Sequence, residues 1–168
     1  ARCLVPAPDP LDPVMLGGFS LVGLTAWVAT HDLARVSADD VVLVHGGSGG
    51  VGSLVVQLAV ATGATVYATA SARNGDRVRG YGARHVDYAT EDFTAVVPAP
   101  DVIIDGVYFG TYEPSMDHLK PGGRLVILPS LADLAPARAR GIDVSVPSVP
   151  DDRARLQHLT DAMLAGQG

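Results

Sequence analysis

Cysteine is almost missing from this chain. Cys3 stands alone, so no disulfide can close within it and no cysteine-rich zinc site can be built. A reducing compartment suits such a sequence, and the expectation is a cytoplasmic protein. Long apolar runs are missing too: nowhere do the roughly 18 uninterrupted apolar residues of a membrane span occur, and no signal-peptide pattern is present. Lysine is reduced to Lys120, and Lys and Arg together number 12 against 18 Asp and Glu, for a net charge of −6. A nucleic-acid surface needs clustered cations, which this balance does not supply. The five histidines are scattered without metal-ligand spacing, so no metal is expected. With 48% hydrophobic and 18% charged residues in 168, the composition is that of one compact domain over 1–168 with a substantial core. The heavy use of Ala, Val, Gly, Arg and Asp beside a single Lys suits a high-GC bacterial genome.

What is present is organised around Val41–Leu58, VVLVHGGSGGVGSLVVQL. Val41–Val44 reads as a fully buried strand. Glycines follow at 46, 47, 49, 50 and 52, and Val51, Leu54, Val55 and Leu58 then share one face of a helix. Gly47-x-Gly49-x-x-Gly52 has the dinucleotide spacing in its proper place, between strand and helix. On that pattern Gly47 makes the tight turn, Gly49 lets backbone approach a pyrophosphate, and Gly52 lets the helix pack against the strand. The free N–H groups around Gly50 and Val51 receive the phosphates.

Prolines at 6, 8, 10 and 13 make residues 1–13 an extended lead-in. A helix is expected over 14–36, then strands at Val41–His45, Thr65–Thr69, Arg84–Asp87, Asp101–Asp105, Arg124–Leu128 and Ile142–Val146. Helices are expected at Val51–Thr62, Arg73–Tyr81, Thr111–Leu119 and Asp151–Leu164, the last with Leu156, Leu159 and Met163 inward. Thr90–Val97 has no clear pattern. Strands alternating with helices mean an α/β fold: a doubly wound, six-stranded parallel sheet of Rossmann type, order 3-2-1-4-5-6, helices on both faces. The ligand crevice should open at the carboxyl ends of strands one and four.

About 20 residues past the glycine loop, an acid would accept from the 2′-hydroxyl of NAD. Thr69-Ala70-Ser71-Ala72-Arg73 stands there instead, and no acid occurs before Asp76. Ser71 and Arg73 can donate to a 2′-phosphate, which favours NADPH. The competing reading has Ser71 capping the next helix and Arg73 solvated.

GLTAW (Gly23–Trp27), VLVHGGSGGVG (Val42–Gly52), QLAVATGATVYATAS (Gln57–Ser71), GARHVDY (Gly82–Tyr88) and DGVYFGTYEPSMDHLKPGGRLVIL (Asp105–Leu128) occur in this order. Together they resemble the medium-chain dehydrogenase/reductase superfamily, in its zinc-free quinone oxidoreductase and enoyl reductase branch. The resemblance implies an NADPH-dependent oxidoreductase transferring hydride to an enone or quinone. It places Thr25 near the nicotinamide and Tyr88 at the 2′-phosphate; for each, a packing or surface role is the alternative. It also implies a GroES-like catalytic barrel that this chain lacks, to be supplied by a partner chain or a further domain. The family's DSVG reads Asp105-Gly106-Val107-Tyr108, so Tyr108 brings a phenol to the expected nicotinamide position, and Leu128-Pro129 replaces a glycine after strand five. The alternative function is a non-catalytic domain that has lost its barrel and serves assembly or binds another small ligand.

No catalytic residue is assigned. His45, beside the loop, reads as structural; Tyr108 and Tyr112 are expected to face the crevice and fill space; Cys3 has no base beside it. Apolar residues in the edge strand Ile142–Val146 invite pairing with a second copy, so a homodimer is expected.

Overall fold

The computed structural model describes residues 13–149 and 153–164; Cys3 and the lead-in before Pro13 lie outside them. Six strands, β1 (Val41–His45), β2 (Thr65–Ala70), β3 (Arg84–Asp87), β4 (Val102–Asp105), β5 (Arg124–Ile127) and β6 (Asp143–Ser145), form one all-parallel sheet in the order β3-β2-β1-β4-β5-β6. Around it lie α1 (Pro13–Trp27), α2 (Gly50–Ala61), α3 (Gly75–Gly80), α4 (Phe93–Val96), α5 (Tyr112–His118), α6 (Ala135–Ala139) and α7 (Arg153–Leu164).

Successive strand residues point to opposite faces, and both faces are covered. Val42, Val44, Val66, Ala68, Val102 and Ile104 face Val55, Val56 and Ala59 of α2, together with Ala26 of α1. Leu43, Tyr67, Ile103, Leu125 and Ile127 face Tyr112 and Met116 of α5 and Ala137 of α6. A strand buried on both sides must be apolar throughout, which is why β1 and β4 read as unbroken runs.

The first helix departs from expectation. After Trp27 it widens into a π-helical segment, Val28–Leu33, and Ala34 N–H donates to Ala29 O at 2.9 Å. It stops before residue 36, where Arg35 turns left-handed (φ +49°) and Val36 N–H returns to Thr30 O at 3.0 Å; Arg124 of β5 then donates to Ala34 O (2.7 Å) and Arg35 O (3.0 Å) while pairing with Asp40 at 2.6 Å. In the unpatterned stretch, Asp92 caps a single turn, α4, by accepting from Thr94 N–H at 2.9 Å. The helix α6 is also beyond the sequence reading. On α7, Leu159 is buried and Leu156 half-buried, while the side chain of Met163 lies outside the described residues. β6 is the sheet edge, as expected, and is shorter than Ile142–Val146.

Candidate cofactor crevice

The glycine loop leaves β1 at His45. Gly46 (φ +78°) makes the turn, and Gly49 N–H returns to Gly46 O at 3.0 Å. A Cβ at Gly47 would lie 2.6 Å from the Cβ of Ala68, so its bareness lets the loop lie on β2, where Gly47 N–H donates to Thr69 O at 2.9 Å. A Cβ at Gly52 would run into the Gly46 carbonyl oxygen. The roles read from the spacing are therefore redistributed: Gly46, not Gly47, turns the chain, and Gly52 seats the helix on the turn rather than on the strand. Gly49 precedes α2 without a side-chain cap, and Gly49 and Gly50 are exposed. The first N–H groups of α2, through Val51 and Gly52, have no helical acceptors.

Beside the loop, a crevice of about 600 Å³ opens at the carboxyl ends of β1, β2 and β4, where the strand order reverses. Ser48 and Gly49 line one wall, Ala70, Tyr88 and Phe93 another, and Val107, Phe109 and Thr111 the third. The backbone of the loop fits a dinucleotide, because Gly49 and Gly50 are exposed and the α2 terminus has no side-chain cap.

Beneath the crevice lies a buried polar network. His45 is fully buried; its Nδ1 is 3.3 Å from Thr69 Oγ1 and its Nε2 3.1 Å from Ser115 Oγ. Thr69 Oγ1 also accepts from Gly46 N–H at 3.1 Å, tying the imidazole to the loop's first residue. Asp105, also fully buried, accepts from Val107 N–H (2.8 Å), Tyr108 N–H (2.9 Å) and Thr111 Oγ1 (2.6 Å), and so fixes the loop after β4.

Burial pushes the His45 imidazole below its usual pKa, against a smaller upward pull from Asp105, and burial does the same to His31 against Asp32. The unfolded chain therefore binds protons that the folded one resists. This contribution to stability is fully present above about pH 6.5 and is lost as pH falls from there toward the folded value, by at most about 1.4 kcal/mol per pH unit per histidine. Urea unfolding at pH 7.5 and 5.5 should show the loss, and His45→Gln should shrink it. An equal pH dependence in the variant would locate the effect elsewhere.

Tyr108 does not face the crevice. Its backbone is left-handed (φ +70°), its hydroxyl accepts from Asp133 N–H at 3.1 Å, and its ring packs on Tyr112 with centroids 4.9 Å apart. The expectation that Tyr108 and Tyr112 line the crevice is corrected: Val107 and Phe109 do so instead. Thr25 sits on α1, donates to Leu21 O at 2.8 Å and is not part of the lining. Tyr88 is on the wall, 66% exposed. Ser71 follows β2, half-buried, and Arg73 is exposed, without a hydrogen bond or ion pair among the described residues. Between them and the loop stands a residue that sequence reasoning missed: Asn74 donates through Nδ2 to both Ser48 Oγ and Ser71 Oγ, each at 3.1 Å. Its only signal was an amide in a turn, which is no signal of a site. Asp105 could have been noticed as the sole acid ending an apolar strand.

A doubly wound parallel sheet carrying a glycine loop and an uncapped helix at its switch point defines a class, the dinucleotide-binding domains. The chain belongs to the family described as zinc-binding dehydrogenase, whose model matches residues 50–145, and it is a cofactor-binding domain of the medium-chain dehydrogenase/reductase superfamily, with quinone oxidoreductases among its structural neighbours. It is similar to a 2-haloacrylate reductase of Burkholderia sp, 36% identical over 127 residues, which are 71% of this chain and 38% of that protein. It is 41% identical over 105 residues to polyketide synthase GfsB of Streptomyces halstedii, covering 61% of this chain and 2% of the synthase. The quinone oxidoreductase structure from Coxiella burnetii matches with a TM-score of 0.91 at 30% identity, over 97% of this chain and 53% of that one. This chain thus spans about half, or less, of the proteins it resembles. Among the described residues no group of three or more His, Cys, Asp or Glu could hold a metal ion, so the zinc of the family's description has no donor set there. No described helix is long and apolar enough to cross a membrane.

Proposed function

We propose that this chain binds NADPH in the crevice and presents its nicotinamide for hydride transfer to an electron-poor enone or quinone, with a substrate-binding barrel on a partner chain or further domain completing the pocket. The observation that carries this reading is the end of β2, which offers Ser71 and an unpaired Arg73 in place of a carboxylate beside the glycine loop. NADPH supplies the hydride when bound. The chain's own part is positional. The α2 N-terminus and the N–H groups of the loop hold the pyrophosphate, Ser71, Arg73 and Tyr88 surround the 2′-phosphate, and Val107 and Phe109 form an apolar wall that sheds water. Phe109 and Leu131 are 84% and 98% exposed, the latter just after β5. They give a barrel an apolar surface to cover. The alternative of a non-catalytic domain draws on the bulk of Tyr108, and that ring lies outside the crevice.

Calorimetric titration tests the reading. The chain should bind NADPH more tightly than NADH. Removing one charge-assisted donor in Arg73→Ala should weaken NADPH by roughly ten- to a hundredfold and NADH by less than about twofold. Absence of NADPH binding, or equal losses for both, would overturn it.

A further inference from the structure

We infer that Asn74 sets the preference of this crevice for a phosphomonoester on the ribose, by aiming two serine hydroxyls at it; the inference rests on the NADPH reading above. Asn74 ends the short turn Ala72–Asn74 that follows β2, and its own N–H donates to Ser71 O at 2.9 Å. That closes the turn and holds the side chain against the glycine loop. A primary amide has two N–H donors. Here one goes to Ser48 of the loop and the other to Ser71 at the strand end. Both serine oxygens are therefore acceptors toward Asn74. A hydroxyl has a single proton, and neither Ser48 nor Ser71 gives it to any acceptor among the described residues.

The consequence is directional. Two O–H donors are tied together by one amide; Ser71 and the exposed Arg73 share its turn, and Ser48 lines the crevice itself. An acceptor-only, doubly charged group such as a phosphate dianion can take all three donors at once and meets the guanidinium with opposite charge. A ribose 2′-hydroxyl can use a remaining serine lone pair, but it brings no charge to meet Arg73 and has fewer lone pairs than there are donors. The residue type matters as much as the position. An aspartate at 74 would accept from both serines, turn their protons inward and leave lone pairs facing the ligand. Ser48, which the dinucleotide spacing marks only as a filler between glycines, thereby joins the specificity end of the site. Asn74 itself is a positioning residue; it acts through the serines.

The test compares coenzymes on the same sample, so that the ratio of their dissociation constants does not depend on the folded fraction. Asn74→Ala should raise the Kd for NADPH about five- to tenfold and leave that for NADH within about twofold. Ser48→Ala should produce a similar selective loss. In the Asn74→Ala background it should add less than about twofold, because an unaimed hydroxyl has little left to lose. Asn74→Asp should abolish the preference for NADPH. Equal losses for both coenzymes, no loss in Asn74→Ala, or single effects that multiply in the double variant would each overturn the inference while leaving the NADPH reading intact. Failure of the parent chain to bind NADPH would overturn that reading and this inference together.

Discussion

Gly52→Ala should destabilise the domain by about 2–3 kcal/mol and weaken nicotinamide coenzyme binding on the order of a hundredfold. The methyl would overlap the Gly46 carbonyl oxygen and press on the carbonyl carbon at 2.9 Å, and both are backbone, so no side chain can swing away. The loop must shift, at the cost typical of overpacking a tight interior. Gly46 is also the residue whose N–H is held by Thr69 Oγ1 and whose oxygen receives Gly49 N–H. Displacing it moves the loop and the first N–H groups of α2 together, and these groups are the proposed pyrophosphate site. Gly50→Ala is the control. Its added Cβ would meet nothing closer than Val22 Cγ1 at 4.0 Å, so its stability should match the parent within about 0.5 kcal/mol or exceed it, as alanine does in helices. Thermal melts and calorimetry on the two variants decide the matter. If Gly52→Ala melted with the parent, the helix would not sit on the turn as described.

The contrast between those two glycines shows where a sequence stops being legible. β1 and β3 match their expected residues end for end, and the strand order follows from strict strand–helix alternation. Burial on both faces writes itself into composition as unbroken apolar runs. The GxGxxG spacing locates the loop for the same reason: several close approaches must be glycine at once. Which glycine meets which atom is a tertiary fact: Gly46 takes the turn expected of Gly47, and Gly47 lies against β2 instead. Tyr108 illustrates the same limit. Its position along the chain pointed it at the nicotinamide, but a left-handed backbone, φ +70°, turns the ring onto Tyr112. Helices of one turn, α4 and α6, are too short to display a period. The first helix stops at Leu33 because Arg35, a residue with no preference for it, turns left-handed (φ +49°), and the carbonyls beyond are taken by Arg124, about 90 residues away. Asn74 was illegible because its chemistry consists of two partners, Ser48 and Ser71, that no periodicity brings together.

The second large effect should come from Asp105→Ala, with a loss of roughly 3 kcal/mol. Asp105 is fully buried, and its two oxygens accept from two backbone N–H groups and the Thr111 hydroxyl. Removing an acceptor from buried donors costs about 1–3 kcal/mol for each group left without a partner. Two of the donors can regain water as the loop loosens, which is why the sum does not reach the full penalty of three. For a domain of this size the loss corresponds to a fall in Tm of roughly 10 °C. Asp105→Asn separates hydrogen bonding from charge. The amide oxygen still accepts both N–H groups, and its nitrogen can donate to Thr111, whose hydroxyl serves equally as acceptor. That variant should lose no more than about 1 kcal/mol. The site consequence follows from the same geometry. The carboxylate holds the loop that carries Val107 and Phe109, the apolar wall of the crevice, and seats Tyr108 in its left-handed conformation. Released, Tyr108 has no reason to keep a backbone that costs about 1–2 kcal/mol, and its ring becomes free to swing into the space proposed for the nicotinamide. Asp105→Ala should therefore lose coenzyme affinity even at temperatures where it remains folded, while Asp105→Asn keeps it. Equal stability of the alanine variant and the parent would mean that the loop after β4 is held by its packing on Tyr112 rather than by this carboxylate.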